Sequence, residues 1–231
     1  MIWVIIPTYN EEVALPATLQ HLFSQTATYT AIVVDGGSTD STRFIAHAHS
    51  TLTLLNAPKG RASQMNRGAT YVHVAGAQPH DWLLFLHADT HLPTGALQQL
   101  QGMEDDLTIQ AGGFWHQFSG DDWRLRFISW LDNFRCQTSK IIYGDQAMFV
   151  RLKRFQDLGG FPNHPILEDV AFCEKLIQHV TPILLTPPVV TDSRKFIKMG
   201  IWRSLLRVFA IILCVEFRLP FFPKAFFQDV R

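Results

Sequence analysis

Asp81-Trp82-Leu83-Leu84-Phe85-Leu86-His87-Ala88-Asp89-Thr90 decides how this chain is read. Five apolar residues, Trp82–Leu86, run without a break and stop at His87, Ala88, Asp89 and Thr90, with Pro93 just beyond. A short apolar run that ends sharply in a polar turn reads as a buried strand delivering a carboxylate to a sheet edge. In open α/β sheets, ligands bind outside the carboxyl ends of the strands. An Asp in such a turn is also an ordinary turn former, so the surrounding sequence must separate the two readings.

The preceding sequence repeats the pattern. Ile2–Ile6 reads as a buried strand followed by the turn Pro7-Thr8-Tyr9-Asn10-Glu11-Glu12. Val13 to Phe23 then carries Leu15, Leu19, Leu22 and Phe23 at helical spacing. Asn10 is placed to cap that helix, and Glu11 and Glu12 suit its positive end. Ala31–Val34 is a second strand ending at Asp35-Gly36-Gly37-Ser38-Thr39-Asp40, with a helix from about Thr39 that points Phe44 and Ile45 inward. Leu52–Leu55 is a third strand, followed by the loop 56–61 and a helix over Ala62–Ala75. Alternation of strand, turn and helix is the signature of a parallel sheet with right-handed crossovers. Three of the four polar turns carry a candidate binding carboxylate: Glu11, Asp35 and Asp89.

Beyond residue 90 the pattern predicts helices from Thr94 to about Met103, over Trp123–Phe134 and over Glu168–Gln178. Strands are expected at Gly112–Phe118, Ala147–Val150, Ile183–Leu185 and Val189–Val190, with a Gly-Gly turn after Phe155. Ile201 to Phe217 reads as one helix, with Arg203, Arg207, Cys214 and Arg218 near one stripe and Ile201, Trp202, Leu205, Leu206, Phe209, Ile212, Leu213 and Phe217 opposite.

Composition narrows the class. The 231 residues suit one α/β domain with an appendage, and the formal net charge of +0 argues against nucleic acid as a partner. Cys136, Cys173 and Cys214 show no metal-type spacing and are odd in number, which fits a reducing compartment rather than a disulfide framework. The opening apolar run is too short for a signal peptide, and no run of 18 apolar residues offers a membrane span. There is no GxSxG elbow, HExxH, P-loop or GxGxxG.

Taken in order, PTYNE (Pro7–Glu11), VVDGGSTD (Val33–Asp40), LHADT (Leu86–Thr90), LGGFP (Leu158–Pro162) and ILEDVAF (Ile166–Phe172) resemble the motifs of family 2 glycosyltransferases, nucleotide-sugar enzymes of the GT-A fold. KGRASQMN (Lys59–Asn66) and YGDQAMF (Tyr143–Phe149) resemble a smaller bacterial branch of that family. The resemblance, which covers about residues 2–195, implies a GT-A domain over residues 1–199 with a mostly parallel central sheet flanked by helices; the change in composition at Gly200 marks 200–231 as an amphipathic helical tail. It also implies a metal-dependent, inverting transfer from a nucleotide-diphosphate sugar, a UDP-sugar by default, to a hydroxyl acceptor. Asp169 matches the general base, with Glu168 its structural partner. Asp89 matches the ligand of a divalent metal, Mn²⁺ or Mg²⁺. The family often has an acid where His87 stands, so His87 is either a second ligand or a hydrogen-bonded support. Pro7, Thr8, Tyr9, Glu11, Asp35, Gly36, Lys59, Arg61, Asn66, His87, Ala88 and Asp89 match the donor side. Gly144, Asp145 and Gln146 line the acceptor side, and Arg194 and Lys195 face the diphosphate.

Basic residues among aromatics in 200–231 read as an interfacial helix on a membrane surface, consistent with a lipid acceptor and a peripheral place on the cytoplasmic inner face. That face would equally suit packing on its own domain or a homodimer. The competing functions are a catalytically silent nucleotide- or sugar-binding protein, a sugar nucleotidyltransferase of related fold, and a membrane scaffold dominated by the tail.

Overall fold

A computed structural model describes residues 1–164 and 166–216 and, within the last helix, the side chains up to Leu206 and those of Phe209 and Ala210. In chain order the strands are β1 (Ile2–Thr8), β2 (Tyr29–Asp35), β3 (Leu52–Asn56), β4 (Trp82–Phe85), β5 (Thr90–His91), β6 (Ala111–Phe118), β7 (Phe149–Arg151) and β8 (Ile183–Thr191). The helices are α1 (Leu15–Phe23), α2 (Thr42–His47), α3 (Arg61–Val74), α4 (Ala96–Gly102), α5 (Trp123–Ser139), α6 (Leu152–Asp157), α7 (Glu168–Leu176), α8 (Arg194–Met199) and α9 (Ile201–Glu216).

The strands form one sheet in the order β3-β2-β1-β4-β7-β6-β8-β5. β3, β2, β1 and β4 are all parallel, as the alternating first 90 residues predict. The second half is mixed: β7 is antiparallel to both β4 and β6, β8 is parallel to β6, and β5 is antiparallel to β8.

β1 shows why these runs are strands. Ile2, Val4 and Ile6 pack with Leu15, Leu19 and Leu22 of α1 and with Leu97 and Leu100 of α4. Trp3 and Ile5 pack on the other face with Met65 and Val72 of α3 and Phe172 of α7. A strand covered on both faces is apolar at every position, hence the unbroken runs. α3 lies close because Gly68 faces Ile5, where an added Cβ would come within 2.5 Å of Ile5 Cγ2.

Two charged anchors hold the frame. Asp81 accepts the Met1 amino group, the Trp3 indole N–H and the Gln78 N–H, each at 3.0 Å. Arg151, 1% exposed, donates to the carbonyls of Ile109, His80, Met103 and Asp106, and its guanidinium lies 3.6 Å from the Trp82 ring centroid.

Several expectations are corrected. Phe44 is 77% exposed rather than inward, whereas Ile45 packs on the core. Asn10 does not cap α1, whose first turn lacks a side-chain cap; its carbonyl oxygen accepts from Thr39 N–H at 2.8 Å and so bridges two turns. Glu12 does the same for Ser41. The two late strands are one, Ile183–Thr191, with a register shift opposite Phe114 and His116. The single apolar side expected for the last helix divides: Ile201 and Leu205 pack inward, while Trp202, Leu206 and Phe209 are exposed. Phe217 and Arg218 lie outside the described residues, as do the side chains of Arg207, Ile212, Leu213 and Cys214. Among the described residues, no helix is long and apolar enough to cross a membrane.

Candidate active site

The C-terminal ends of β1 and β4, with the segment that follows β3, open onto a cavity of about 330 Å³. Its walls come from both halves of the chain. Pro7, Thr8, Tyr9, Glu11, Lys59, Gly60, Arg61, Gln64, His87, Ala88 and Asp89 form one side. Tyr143, Gly144, Asp145, Leu167, Asp169 and the segment from Thr191 to Met199 contribute the other.

The polar end of the quoted stretch spans the cavity. After β4, residues 86–89 carry the chain to β5, which pairs with the end of β8. Thr18 of α1 pins this passage by donating to the Ala88 carbonyl at 2.7 Å, and Asp192 N–H donates to the Asp89 carbonyl at 2.9 Å. The Asp89 side chain therefore faces Lys195. The Lys195 ammonium donates to Asp89 Oδ2 at 3.1 Å and to Glu11 Oε1 at 2.8 Å. Burial alone would raise the Asp89 pKa, but Lys195 and His87 outweigh it and hold the carboxyl below its usual range. Glu11 is shifted the other way, raised by burial despite Lys195. Burial also works against the Lys195 charge, and Asp89 and Glu11 overcome it, so this lysine stays protonated beyond its usual range.

His87 is half-buried, and its Nε2, itself out of contact with solvent, lacks a hydrogen-bond partner. Burial and the nearby Arg61 charge push its pKa down to about 4, leaving a neutral imidazole at neutral pH. Gly144 lies against it: an added Cβ would come within 2.5 Å of His87 Nε2 and 3.2 Å of Asp169 Oδ2. One glycine thus lets the two halves of the site meet.

Asp169 sits in the first turn of α7, 6% exposed. Its Oδ2 accepts from Gly144 N–H at 2.7 Å and its Oδ1 from Val170 N–H at 2.8 Å, which fixes the carboxylate toward the cavity. Leu167, with φ of 57°, supplies the bend before the helix. Neighbouring Glu168 pairs with Arg61 at 2.6 Å, tying α7 to α3.

Asp145 has a less ordinary setting. Its Oδ2 lies 3.7 Å from His116 Nε2, and His116 Nδ1 lies 3.9 Å from Asp132 Oδ2. Both imidazole nitrogens are buried without a hydrogen bond. Arg135 pairs with Asp132 and lies 3.4 Å from the Tyr143 ring centroid. Burial pushes the Asp145 carboxyl up to about 6, with His116 lowering it and Asp132 and Asp169 raising it. A folded-state pKa above the unfolded one stabilises the fold fully below the unfolded value, and that contribution is lost as pH rises through about 6. Asp145→Asn, neutral at every pH, should therefore gain melting temperature over the native chain at pH 7.5 but not at pH 4. An equal shift at both values would count against this sign.

Several expected residues lie outside the cavity wall. Both Asp35 oxygens are used by its own turn, accepting from Ser38, Gly37 and Arg43, and the residue is fully buried. Gly36 accommodates Gln64, whose amide donates to the Thr8 carbonyl at 2.6 Å and the Val34 carbonyl at 2.8 Å. Asn66 clamps the Phe161 backbone through both its N–H and its carbonyl oxygen. Gln146 accepts from Tyr143 N–H and donates to the Phe114 carbonyl. Arg194 turns to Asp192. Lys59, by contrast, is part of the wall and lies 3.8 Å from the Tyr9 ring centroid. Gln64, Tyr143, Leu167, Phe118 and Phe196 line the cavity without having been singled out. Gln64 and Tyr143 fall inside the KGRASQMN and YGDQAMF motifs, which was their available signal.

The residues fit a divalent cation only partly. Among the described residues no three His, Cys, Asp or Glu side chains form a metal-binding group. Asp89 offers one carboxylate and His87 an unpartnered nitrogen. Such a pair suits an ion that takes its remaining ligands from substrate phosphates rather than from a protein cage.

The sequence profile of glycosyl transferase family 2 matches residues 3–158. The chain belongs to this family. It is 28% identical over 195 residues to the O-antigen chain rhamnosyltransferase WbaN of Salmonella anatum, covering 76% of this chain and 60% of that protein. Among solved structures, a fragment of S. aureus TarS in complex with UDP-GlcNAc superposes with a TM-score of 0.63 at 18% identity, covering 84% of this chain and 58% of that one. The mannosyltransferase PcManGT of Pyrobaculum calidifontis, in complex with GDP-Man and Mn²⁺, gives 0.58 at 24% identity, covering 83% and 56%. These likenesses establish a GT-A-type fold for the family member described here.

Proposed function

We propose that this chain is an inverting, metal-dependent glycosyltransferase that moves a sugar from a nucleotide-diphosphate donor, a UDP-sugar by default, to a hydroxyl on a lipid-linked acceptor. The carrying observation is that Asp89 with Lys195 and Asp169 with Gly144 face one cavity from opposite halves of the chain. The GT-A domain corresponds to residues 1–199, and 200–231 to a tail that rests on the inner face of the membrane. The ligands of TarS and PcManGT support a nucleotide-sugar donor.

In this reading Pro7, Thr8, Tyr9 and Lys59 hold the nucleoside. Lys195 neutralises the diphosphate as the sugar–oxygen bond breaks, a role that needs charge placed before the reaction. Asp169 takes the acceptor hydroxyl proton while that oxygen attacks the anomeric carbon from the face opposite the diphosphate. The donor bond breaks with its electron pair on the diphosphate, and the configuration inverts. Asp89, with His87 beside it, would hold the divalent cation, whose chemistry is to spread the leaving group's negative charge. Glu168 and Arg61 keep α7 in place.

The test is a melting-temperature screen of nucleoside diphosphates with and without Mn²⁺, because a ligand that binds the native state raises apparent stability. It is paired with turnover of a panel of nucleotide sugars. Stabilisation by nucleotide with no turnover on any donor or acceptor would favour the silent binding protein. Asp89→Ala should abolish the extra stabilisation that Mn²⁺ adds to nucleotide while leaving the nucleotide-only shift in place. An undiminished Mn²⁺ increment would remove Asp89 from the metal role.

A further inference from the structure

Helix α5 has two apolar faces. Leu125 and Ile128 face inward and cluster with Phe118, Phe196 and Ile201. Trp123, Phe127, Trp130 and Phe134 recur at intervals of four, three and four residues, one stripe of a helix, and this stripe faces out. They are 62%, 43%, 58% and 54% exposed. The rings of Phe127, Trp130 and Phe134 stack in a ladder with centroid spacings of 6.0 and 5.8 Å. Trp202 of α9 meets Trp123 edge-on at 6.2 Å, and Leu206 and Phe209 extend the surface. No indole N–H of Trp123, Trp130 or Trp202 has a hydrogen-bond partner among the described residues. A soluble monomer rarely leaves so continuous an apolar surface open.

The charge around this face is one-sided. Segments 122–140 and 192–210 together hold nine Lys and Arg against three acids, Asp122, Asp132 and Asp192, each paired with an arginine, in a chain of formal net charge +0; of the nine, Lys195 faces the cavity. Asp132 is turned inward to Arg135 and His116. Arg126, Lys198 and Arg203 are exposed and form no salt bridge among the described residues.

We propose that the aromatic face of α5 and α9 is a docking surface for an anionic lipid bilayer. Tryptophan favours the membrane interface, where its ring meets apolar chains and its N–H meets water and headgroups. An apolar face flanked by Lys and Arg is the composition of an in-plane interfacial element. The same charge argues against a second copy as the occupant, because a two-fold interface would set identical basic surfaces against each other. The contact thus extends beyond the tail to a helix of the GT-A domain itself. Phe118 and Phe196, on the inner side of this layer, line the cavity, so docking would bring the acceptor side close to the lipid. That last consequence rests on the lipid-linked acceptor proposed above, whereas the docking does not.

The experiment is flotation of the full chain with vesicles of phosphatidylcholine mixed with phosphatidylglycerol, and of phosphatidylcholine alone. The native chain should float with the mixed vesicles and lose the association as salt is added. The double variant Trp130→Gln/Phe134→Gln should bind them about tenfold less, since it removes two of the buried anchors. Its melting temperature and the shift induced by UDP should match the native chain, so a failure of docking is separable from a failure of donor binding. Absence of native binding to mixed vesicles, or equal binding by the variant, would overturn the proposal. So would a native dimer in sedimentation that the variant turns into a monomer, because the face would then belong to a second copy.

Discussion

Asp169→Asn is expected to lower the transfer rate by about 10²–10⁴-fold, the usual contribution of a positioned general base. Nucleotide affinity should stay near that of the native chain. The separation follows from where the residue sits. Its carboxylate is held from the acceptor half, by the N–H groups of Gly144 and Val170, and touches none of the residues assigned to the nucleoside. An Asn can accept one of those two N–H donors with its carbonyl oxygen, but its amide group then faces the other. Local order should therefore suffer only modestly while proton acceptance is lost. The measurement is single-turnover transfer at saturating donor, beside a direct titration of nucleotide. A variant with native activity would refute the assignment.

Arg151→Met should destabilise the fold by about 3–5 kcal/mol, because each buried acceptor left without its donor costs about 1–3 kcal/mol and several are orphaned together. The guanidinium satisfies four backbone carbonyls from residues 80, 103, 106 and 109. Methionine fills similar volume beside Trp82 but donates nothing, leaving carbonyl oxygens in a closed site. For a chain of this size the melting temperature should fall by roughly 10 °C, at about 2–4 °C per kcal/mol. Calorimetry measures it directly, and a fall of only one or two degrees would show that water replaces the lost donors.

The parallel half of the sheet was legible because burial on both faces demands apolar runs, and β1, β2 and β4 are such runs. The second half was less so. Where β8 lies depends on β6 on one side and β5 on the other, and no local pattern in Ile183–Thr191 encodes those partners. Within the site, Asp89 and Asp169 could be named because LHADT and ILEDVAF resemble family motifs, and Lys195 because a charged segment, TDSRKF, precedes the last helix. The tasks of Asn66 and Gln146 could not be, because each binds a backbone atom far along the chain, at Phe161 and Phe114. His116 was hidden for the same reason. Its carboxylate neighbours come from α5 and from the turn before β7, and neither spacing marks them.

The junction of β4 with β7 has a consequence for recombination. In the proposed reading, the turns after β1 and β4 serve the nucleotide end, and the cavity residues after Gln110, apart from Lys195, serve the acceptor end. The chain passes between them once, through the exposed loop at Asp105–Thr108. A crossover placed there would exchange the acceptor half of one family member for another's in a single cut. The contacts it must recreate are the antiparallel ladders of Trp82–Leu84 with Phe149–Arg151 and of Thr90–His91 with Val190–Thr191, the Arg151 contacts, the pairs of Arg61 with Glu168 and of Lys195 with Asp89 and Glu11, the Asn66 clamp on Phe161, and the meeting of His87 with Gly144. In the proposed reading, acceptor choice would then travel with the chain's second half, provided those contacts are kept.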